Sequence, residues 1–194
     1  MEKDKVFVTM GATSHSKSER KKYDYYATQP LAVEKLLEVE KFNNNIWECA
    51  YGEGHIGDVL EKESYKVFKT DIIERTRVLD RCMDFLKFNT KIERNVDIVT
   101  NPPYKYAKEF VEKSLSVVKS GCKVAMLLKL TFLESVSRRE LFNENPPKYI
   151  YVFSKRVTCA RNGDFDKYPS NAIAYAWFVW IKGYKGDTVV KWIN

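Results

Sequence analysis

One glycine turn restricts this chain more than any other feature. Gly52-Glu53-Gly54-His55-Ile56-Gly57 joins a strand-like run, Asn45-Ile46-Trp47-Glu48-Cys49-Ala50, to a helix-like run from about Ile56 to Glu63. Glycines at this spacing let the backbone turn sharply and pass close to a ligand. A second strand, Val67 to Thr70, runs into Asp71, 19 residues after Gly52, where a carboxylate can accept from ribose hydroxyls. This strand–turn–helix–strand unit predicts an α/β sheet holding a ribonucleotide-type cofactor, and both NAD and S-adenosylmethionine suit it. A phosphate-cradling loop does not, because Asp58-Val59 follows Gly57 where Lys and Ser/Thr are required.

The rest of the chain continues the alternation. Pro30 can open a helix with Thr28 or Gln29 near its cap and a stripe of Ala32, Val33, Leu36 and Leu37. Val96 to Thr100 reads as a strand ending at Asn101-Pro102-Pro103-Tyr104. A helix from about Tyr106 follows, with Gly121 as its stop, then a strand from Lys123 to Leu130 and a helix from Glu134 to Phe142. Tyr149 to Phe153 and Ala172 to Trp180 are strands with no helix between them, which predicts an antiparallel pair. The expected fold is α/β, Rossmann-like, with a mostly parallel seven-stranded sheet whose last strand is antiparallel and helices on both faces. Ligands of such sheets bind beyond the carboxyl ends of the strands, here Glu48–Gly54, Asp71 and Asn101–Tyr104.

A chain of 194 residues with 44% hydrophobic residues suits one domain with a sizeable core. Residues 1–22 are polar and basic and read as a flexible lead-in, leaving 23–194 as a single domain. The longest apolar run, Ala172 to Ile181, is half what a membrane-spanning helix needs, and the N-terminus lacks a signal-peptide core. A cytoplasmic protein is expected. Cys49, Cys82, Cys122 and Cys159 show no metal-ligand spacing and read as free thiols, and the loop acids Asp164 and Asp166 as solvated groups, so no metal is expected. The net charge of +7 is concentrated at the two ends. Residues 146–194 mix eight lysines and arginines with eleven aromatics, a combination that suits phosphate contact and base stacking, although many of these aromatics lie in strand-like runs.

Asn101-Pro102-Pro103-Tyr104 separates the two cofactors. Two prolines terminate a strand, and Asn145–Pro147 reads as no more than that. At 101–104 the motif lies where an α/β sheet presents its ligand. An exocyclic amine conjugated to a ring is a poor nucleophile; the Asn101 side-chain oxygen and the Pro102 carbonyl can each accept one of its hydrogens and favour its lone pair. The prolines fix those acceptors beforehand, and Tyr104 offers a flat face to a planar substrate. Direct in-line methyl transfer needs no metal and no covalent intermediate.

On these residues the sequence resembles the class I, S-adenosylmethionine-dependent amino-methyltransferases of the Asn-Pro-Pro-Tyr type. It is most similar to N6-adenine DNA methyltransferases, in particular small phage-type members, over roughly residues 23–194. The resemblance implies that Tyr26, Thr28 and Pro30 help hold the cofactor's methionine carboxylate, and that Glu48, Cys49, Ala50, Gly52 and Gly54 form its loop. It further implies that Asp71 binds the ribose beside Ile72, that Asp84 and Phe85 contact the cofactor's adenine, and that Asn101, Pro102, Pro103 and Tyr104 are catalytic. Cys49 departs from the proline often found after the acid of the loop. With no separate target-recognition domain, specificity would come from loops such as 154–170, where Phe165 or Tyr168 could stack on a flipped base, or from a separate specificity subunit or a homodimer. Lys129, at a strand end, could contact phosphate.

The expected function is methylation of adenine N6 in DNA, with the base flipped out of the duplex. The same motif also suits adenine in RNA or the side-chain amide of a protein glutamine. Cytosine C5 methylation is excluded, since it needs a Pro-Cys nucleophile and none occurs. A more remote alternative, an NAD-dependent oxidoreductase, leaves Asn101–Tyr104 unexplained.

Overall fold

The computed structural model describes residues 26–161, 163, 165 and 173–194. The predicted basic segment 1–22, Asp164, Asp166 and Tyr168 lie outside the described residues. The strands are β1 (Tyr26–Thr28), β2 (Asn45–Glu48), β3 (Lys66–Asp71), β4 (Arg81–Cys82), β5 (Asp97–Thr100), β6 (Lys123–Lys129), β7 (Tyr149–Phe153), β8 (Cys159–Arg161), β9 (Tyr175–Ile181) and β10 (Val189–Ile193). The helices are α1 (Pro30–Val39), α2 (His55–Lys62), α3 (Ala107–Val117) and α4 (Arg139–Glu144).

Among the described residues, eight strands form one sheet in the order β10-β7-β9-β6-β5-β2-β3-β4. Every neighbouring pair is parallel except those of β9, which runs antiparallel to both β6 and β7. The predicted antiparallel strand is therefore present, but it lies inside the sheet. The sheet has one strand more than the expected seven, and the chain closes with β10 on the outer edge rather than with the antiparallel strand. The sequence reading passed over β10 because four of its five residues are exposed, so no buried apolar run marks it.

Burial on both faces explains the strand sequences. In β6, Ala125 and Leu127 face α1 and α2, while Val124, Met126 and Leu128 face α3 and α4. A strand covered on both sides is apolar throughout rather than alternating. Two buried tryptophans fix neighbouring elements through their indole N–H groups. Trp177 donates to the Ala32 carbonyl at 2.7 Å, holding α1 on the sheet, and Trp47 donates to Thr70 Oγ1 at 2.8 Å, tying β2 to β3.

One predicted helix is different. The stretch Glu134 to Phe142 splits into a 3-10 turn at Val136–Arg138 and the short α4. Ser135 bonds the Ser137 N–H through its hydroxyl at 3.2 Å, and such local side-chain bonding competes with a continuous helix. A further pairing was not read from sequence: β1 and β8 form a separate antiparallel ribbon with Thr28 opposite Cys159.

Candidate active site

The carboxyl ends of β2, β3 and β5 open on one cavity of about 580 Å³, within the usual range for small-molecule and cofactor sites.

The floor is the glycine turn. Gly52 and Gly54 have φ of +59° and +90°, a region that favours glycine, and Gly54 caps the N-terminus of α2. The Gly52 N–H donates to Asp71 Oδ2 at 2.8 Å, and the other Asp71 oxygen accepts from the Ile73 N–H at 3.3 Å. The acid at the end of β3 thus holds the turn at the end of β2 and keeps lone pairs for a ligand. Glu48 is 1% exposed, and its Oε2 has no hydrogen-bond partner. Burial, with the neighbouring charge of Asp71, pushes its carboxyl well above the usual carboxylate range.

A second wall comes from residues 83–86. Phe85 is buried against Trp47 and Phe110. Asp84 caps the 3-10 turn Phe85–Lys87 by accepting from the Leu86 N–H at 3.1 Å.

Asn101, just beyond β5, has the most informative bonding. Its Nδ2 donates to the Tyr26 carbonyl at 2.8 Å and to Thr28 Oγ1 at 3.0 Å. Both amide hydrogens are engaged by β1, and Oδ1 remains buried without a partner. The β1–β8 ribbon therefore sets the orientation of the Asn101 side chain. Tyr104 lies with its ring centroid 5.8 Å from that of Tyr26 and 5.7 Å from that of Tyr175. Burial, with Cys159 and Tyr175 alongside, pushes its hydroxyl well above the ordinary phenol value.

The cavity brings together Tyr26, Thr28, Glu48, Cys49, Ala50, Gly52, Asp71, Ile72, Asp84, Phe85, Asn101, Pro102, Pro103 and Tyr104. Four candidates are placed elsewhere. Pro30 opens α1, where its missing N–H is harmless, and Gly54 serves the turn rather than the wall. Lys129 does not line the cavity; its ammonium lies 4.9 Å from the Tyr104 ring centroid, a cation–π contact. Phe165 lies behind the wall, its ring centroid 5.5 Å from that of His55.

The cavity also includes Ala27, Tyr51, Glu53, His55 and Ile56, which lie within the motifs already singled out, and Arg75, Met83, Leu86, Tyr106 and Phe110, which no motif marks. Tyr106 had a signal, standing two residues after the proline turn. Arg75 had none, because its place depends on how the chain leaves β3. Burial lowers the His55 pKa, favouring the neutral imidazole.

The residues fit S-adenosylmethionine. The buried acceptor without a partner, Asn101 Oδ1, suits a substrate bringing donors. The Glu48 carboxyl, whose burial favours the neutral form, can ionise against a ligand carrying positive charge. Asp71 brings a carboxylate with lone pairs to spare to the same cavity, and Phe85 supplies an apolar wall.

No protein-family model matches the sequence, and no curated protein matches it. Solved structures do resemble it. A hemolysin candidate from Lactococcus lactis is 12% identical, with a TM-score of 0.60 over 84% of this chain and 91% of that one. The modification subunit of a candidate type I restriction enzyme from Vibrio vulnificus is 14% identical, with a TM-score of 0.57 over 97% of this chain and 50% of that one. A candidate class I S-adenosylmethionine-dependent methyltransferase from Listeria monocytogenes is 12% identical, with a TM-score of 0.53 over 84% and 62%. At these identities the likeness is one of fold, and this chain has the Rossmann-like α/β fold of the class I S-adenosylmethionine-dependent methyltransferases.

Proposed function

We propose that this chain methylates an exocyclic amine, N6 of adenine in DNA, using S-adenosylmethionine. The observation that carries the reading is Asn101. An amide whose two hydrogens are bonded to Tyr26 and Thr28 presents only its oxygen, and that oxygen is buried without a partner. Such an acceptor suits an incoming NH2 group. The restriction-modification relative supports a nucleic-acid substrate, as does the basic charge at the two ends of the chain.

Bound S-adenosylmethionine would supply an electrophilic methyl group. Asp71 would hold its ribose, Phe85 and Ile72 its adenine, and the buried carboxyl of Glu48 would face its positive charge. On the substrate side, Asn101 Oδ1 and the Pro102 carbonyl each accept one amine hydrogen, so the nitrogen lone pair is free to form the new nitrogen–carbon bond. As it forms, the methyl group's bond to sulfur would break, the neutral thioether would leave, and the surplus amine proton would pass to water. The charge developing on that nitrogen is stabilised by acceptors already in place, with no reorganisation during the reaction. Tyr104 offers the face of its ring to the flipped base.

The test is transfer of labelled methyl to duplex DNA, single-stranded DNA, total RNA and a protein extract, followed by nucleoside mass analysis. N6-methyladenine in DNA is the expected product. Label confined to RNA or protein would keep the acceptor chemistry and replace the substrate.

Two smaller effects follow. Thr28→Val keeps the shape but removes one of the two acceptors that orient Asn101, and a lost hydrogen bond of about 0.5–1.5 kcal/mol lowers kcat roughly 3- to 10-fold. Cofactor affinity, measured by calorimetry, falls by less than kcat does; a loss confined to cofactor affinity would contradict a positioning role. Asp71→Asn keeps an oxygen for the Gly52 N–H but removes the charge. It weakens cofactor binding roughly 10- to 100-fold, the range for a charge-assisted hydrogen bond. Unchanged affinity would place the ribose elsewhere.

A further inference from the structure

The loop between β6 and α4 is held rigid and keeps two apolar side chains in water. The Arg138 guanidinium donates to three loop carbonyls, from Nε to Phe132 at 2.7 Å and from Nη2 to Thr131 at 3.1 Å and Glu134 at 2.7 Å. It also covers the Phe132 ring at 4.7 Å. Phe132 is buried, in ring contact with Phe142 and Phe178. Against this anchored base, Leu133 is 46% and Val136 is 93% exposed. A floppy loop could fold such side chains inward; one tied at three carbonyls cannot.

The position of the loop gives the exposure a meaning. It begins where β6 ends, and β6 pairs in parallel with β5, the strand that carries Asn101. Lys129, the last residue of β6, has its ammonium 4.9 Å from the Tyr104 ring centroid. The loop therefore leaves the sheet at the same carboxyl edge as Asn101, one strand away from it and next to Tyr104.

We propose that Leu133 and Val136 form an apolar wedge that enters the base stack of duplex DNA while the target adenine occupies the cavity. The inference rests on the DNA-methyltransferase reading and names the part of the chain that opens the duplex. Removing a base leaves a gap with apolar walls, and aliphatic side chains inserted between base steps are a common means of holding unstacked DNA. The loop's own charges cancel, Glu134 against Arg138. It suits insertion rather than phosphate capture. Two side chains offer far less than the roughly 1,200–2,000 Å² of a standard protein–protein interface, which disfavours a protein partner at this loop.

The test compares wild type with the double variant Leu133→Ala/Val136→Ala after the methylated site has been mapped on genomic DNA. The substrates are a synthetic duplex of that site and the same duplex with the target adenine opposite an abasic position. The variant loses roughly 10- to 100-fold in rate on the paired duplex and less than about threefold on the pre-opened one. Equal loss on both, or loss on neither, overturns the wedge. Loss of binding to a co-purifying protein with DNA rates unchanged overturns it in favour of a docking role. Wild type that transfers no methyl to any DNA overturns the underlying reading instead, a distinct result because it does not depend on the variant. Both side chains are exposed, so the Tm should stay within about 2 °C of wild type, which separates the effect from misfolding.

Discussion

Asn101→Ala reduces methyl transfer by roughly 10²- to 10³-fold, the usual effect of removing one positioned polar group from a site of developing charge, while S-adenosylmethionine still binds. Alanine removes the unpartnered Oδ1 and with it the acceptor for the amine hydrogen. It also removes both hydrogen bonds to β1, but β1 remains paired to β8 through Tyr26, Ala27 and Thr28, so that wall of the cavity stays in place. Asn101→Asp is the sharper variant. It retains an acceptor oxygen but puts a second oxygen against the Tyr26 carbonyl, where only a donor is tolerated. Activity falls with Asp as well, because the side chain must turn away from β1. Steady-state rates with labelled cofactor, together with calorimetric cofactor affinity, check both variants. An Asp variant as active as wild type would mean that orientation by β1 is irrelevant, and an active Ala variant would remove Asn101 from the chemistry.

The same residue shows how far the sequence could be read. That Asn101 ends a strand at the ligand edge was visible from Val96–Thr100 and the two prolines, since strand patterning and proline chemistry are local. That its oxygen is the accepting group is expected from the chemistry of the motif; which neighbours hold its nitrogen and leave that oxygen free was not visible. The answer depends on Tyr26 and Thr28, more than seventy residues earlier, which are placed by the β1–β8 ribbon. Asp71 stands out by its offset from the glycine turn and its place at a strand end, whereas Thr28 as a site residue rests on the family resemblance alone. Arg75 and Phe110 were missed because cavity walls are made by packing between separate elements, whereas Tyr106, two residues after the proline turn, was legible from its position. The helix expected over 134–142 was misplaced because apolar spacing outweighed two serines that bond locally. Strand β10 escaped because an exposed edge strand lacks the buried pattern by which strands are recognised.

Gly57→Ala destabilises the protein, against the sense of helix propensity. Residue 57 lies within α2, where alanine is ordinarily better than glycine by about 1 kcal/mol. A Cβ at that position would stand 2.4 Å from Tyr51 Cε2 and 2.9 Å from Glu48 Oε2. Tyr51 is itself buried, and a Cβ at Gly54 would stand 2.8 Å from its hydroxyl oxygen. The methyl group added at residue 57 meets both the ring edge and the Glu48 carboxyl, and these must shift to admit it. Forcing a methyl group into such a contact costs about 1–3 kcal/mol or more, which lowers the Tm by roughly 2–12 °C for a chain of this size. The cofactor loop is displaced at the same time. A double-mutant cycle separates the clash from any intrinsic effect of alanine. Once Tyr51→Ala has removed the closer of the two contacts, Gly57→Ala should cost clearly less than in the wild-type background, the contact with Glu48 Oε2 being the part that remains. A Tm that falls equally in both backgrounds would locate the strain elsewhere. The expected result also gives the third glycine of the motif a role that does not depend on the bound cofactor: it brings α2 close enough to cover Tyr51 and Glu48, and so builds the floor on which any ligand of this cavity must rest.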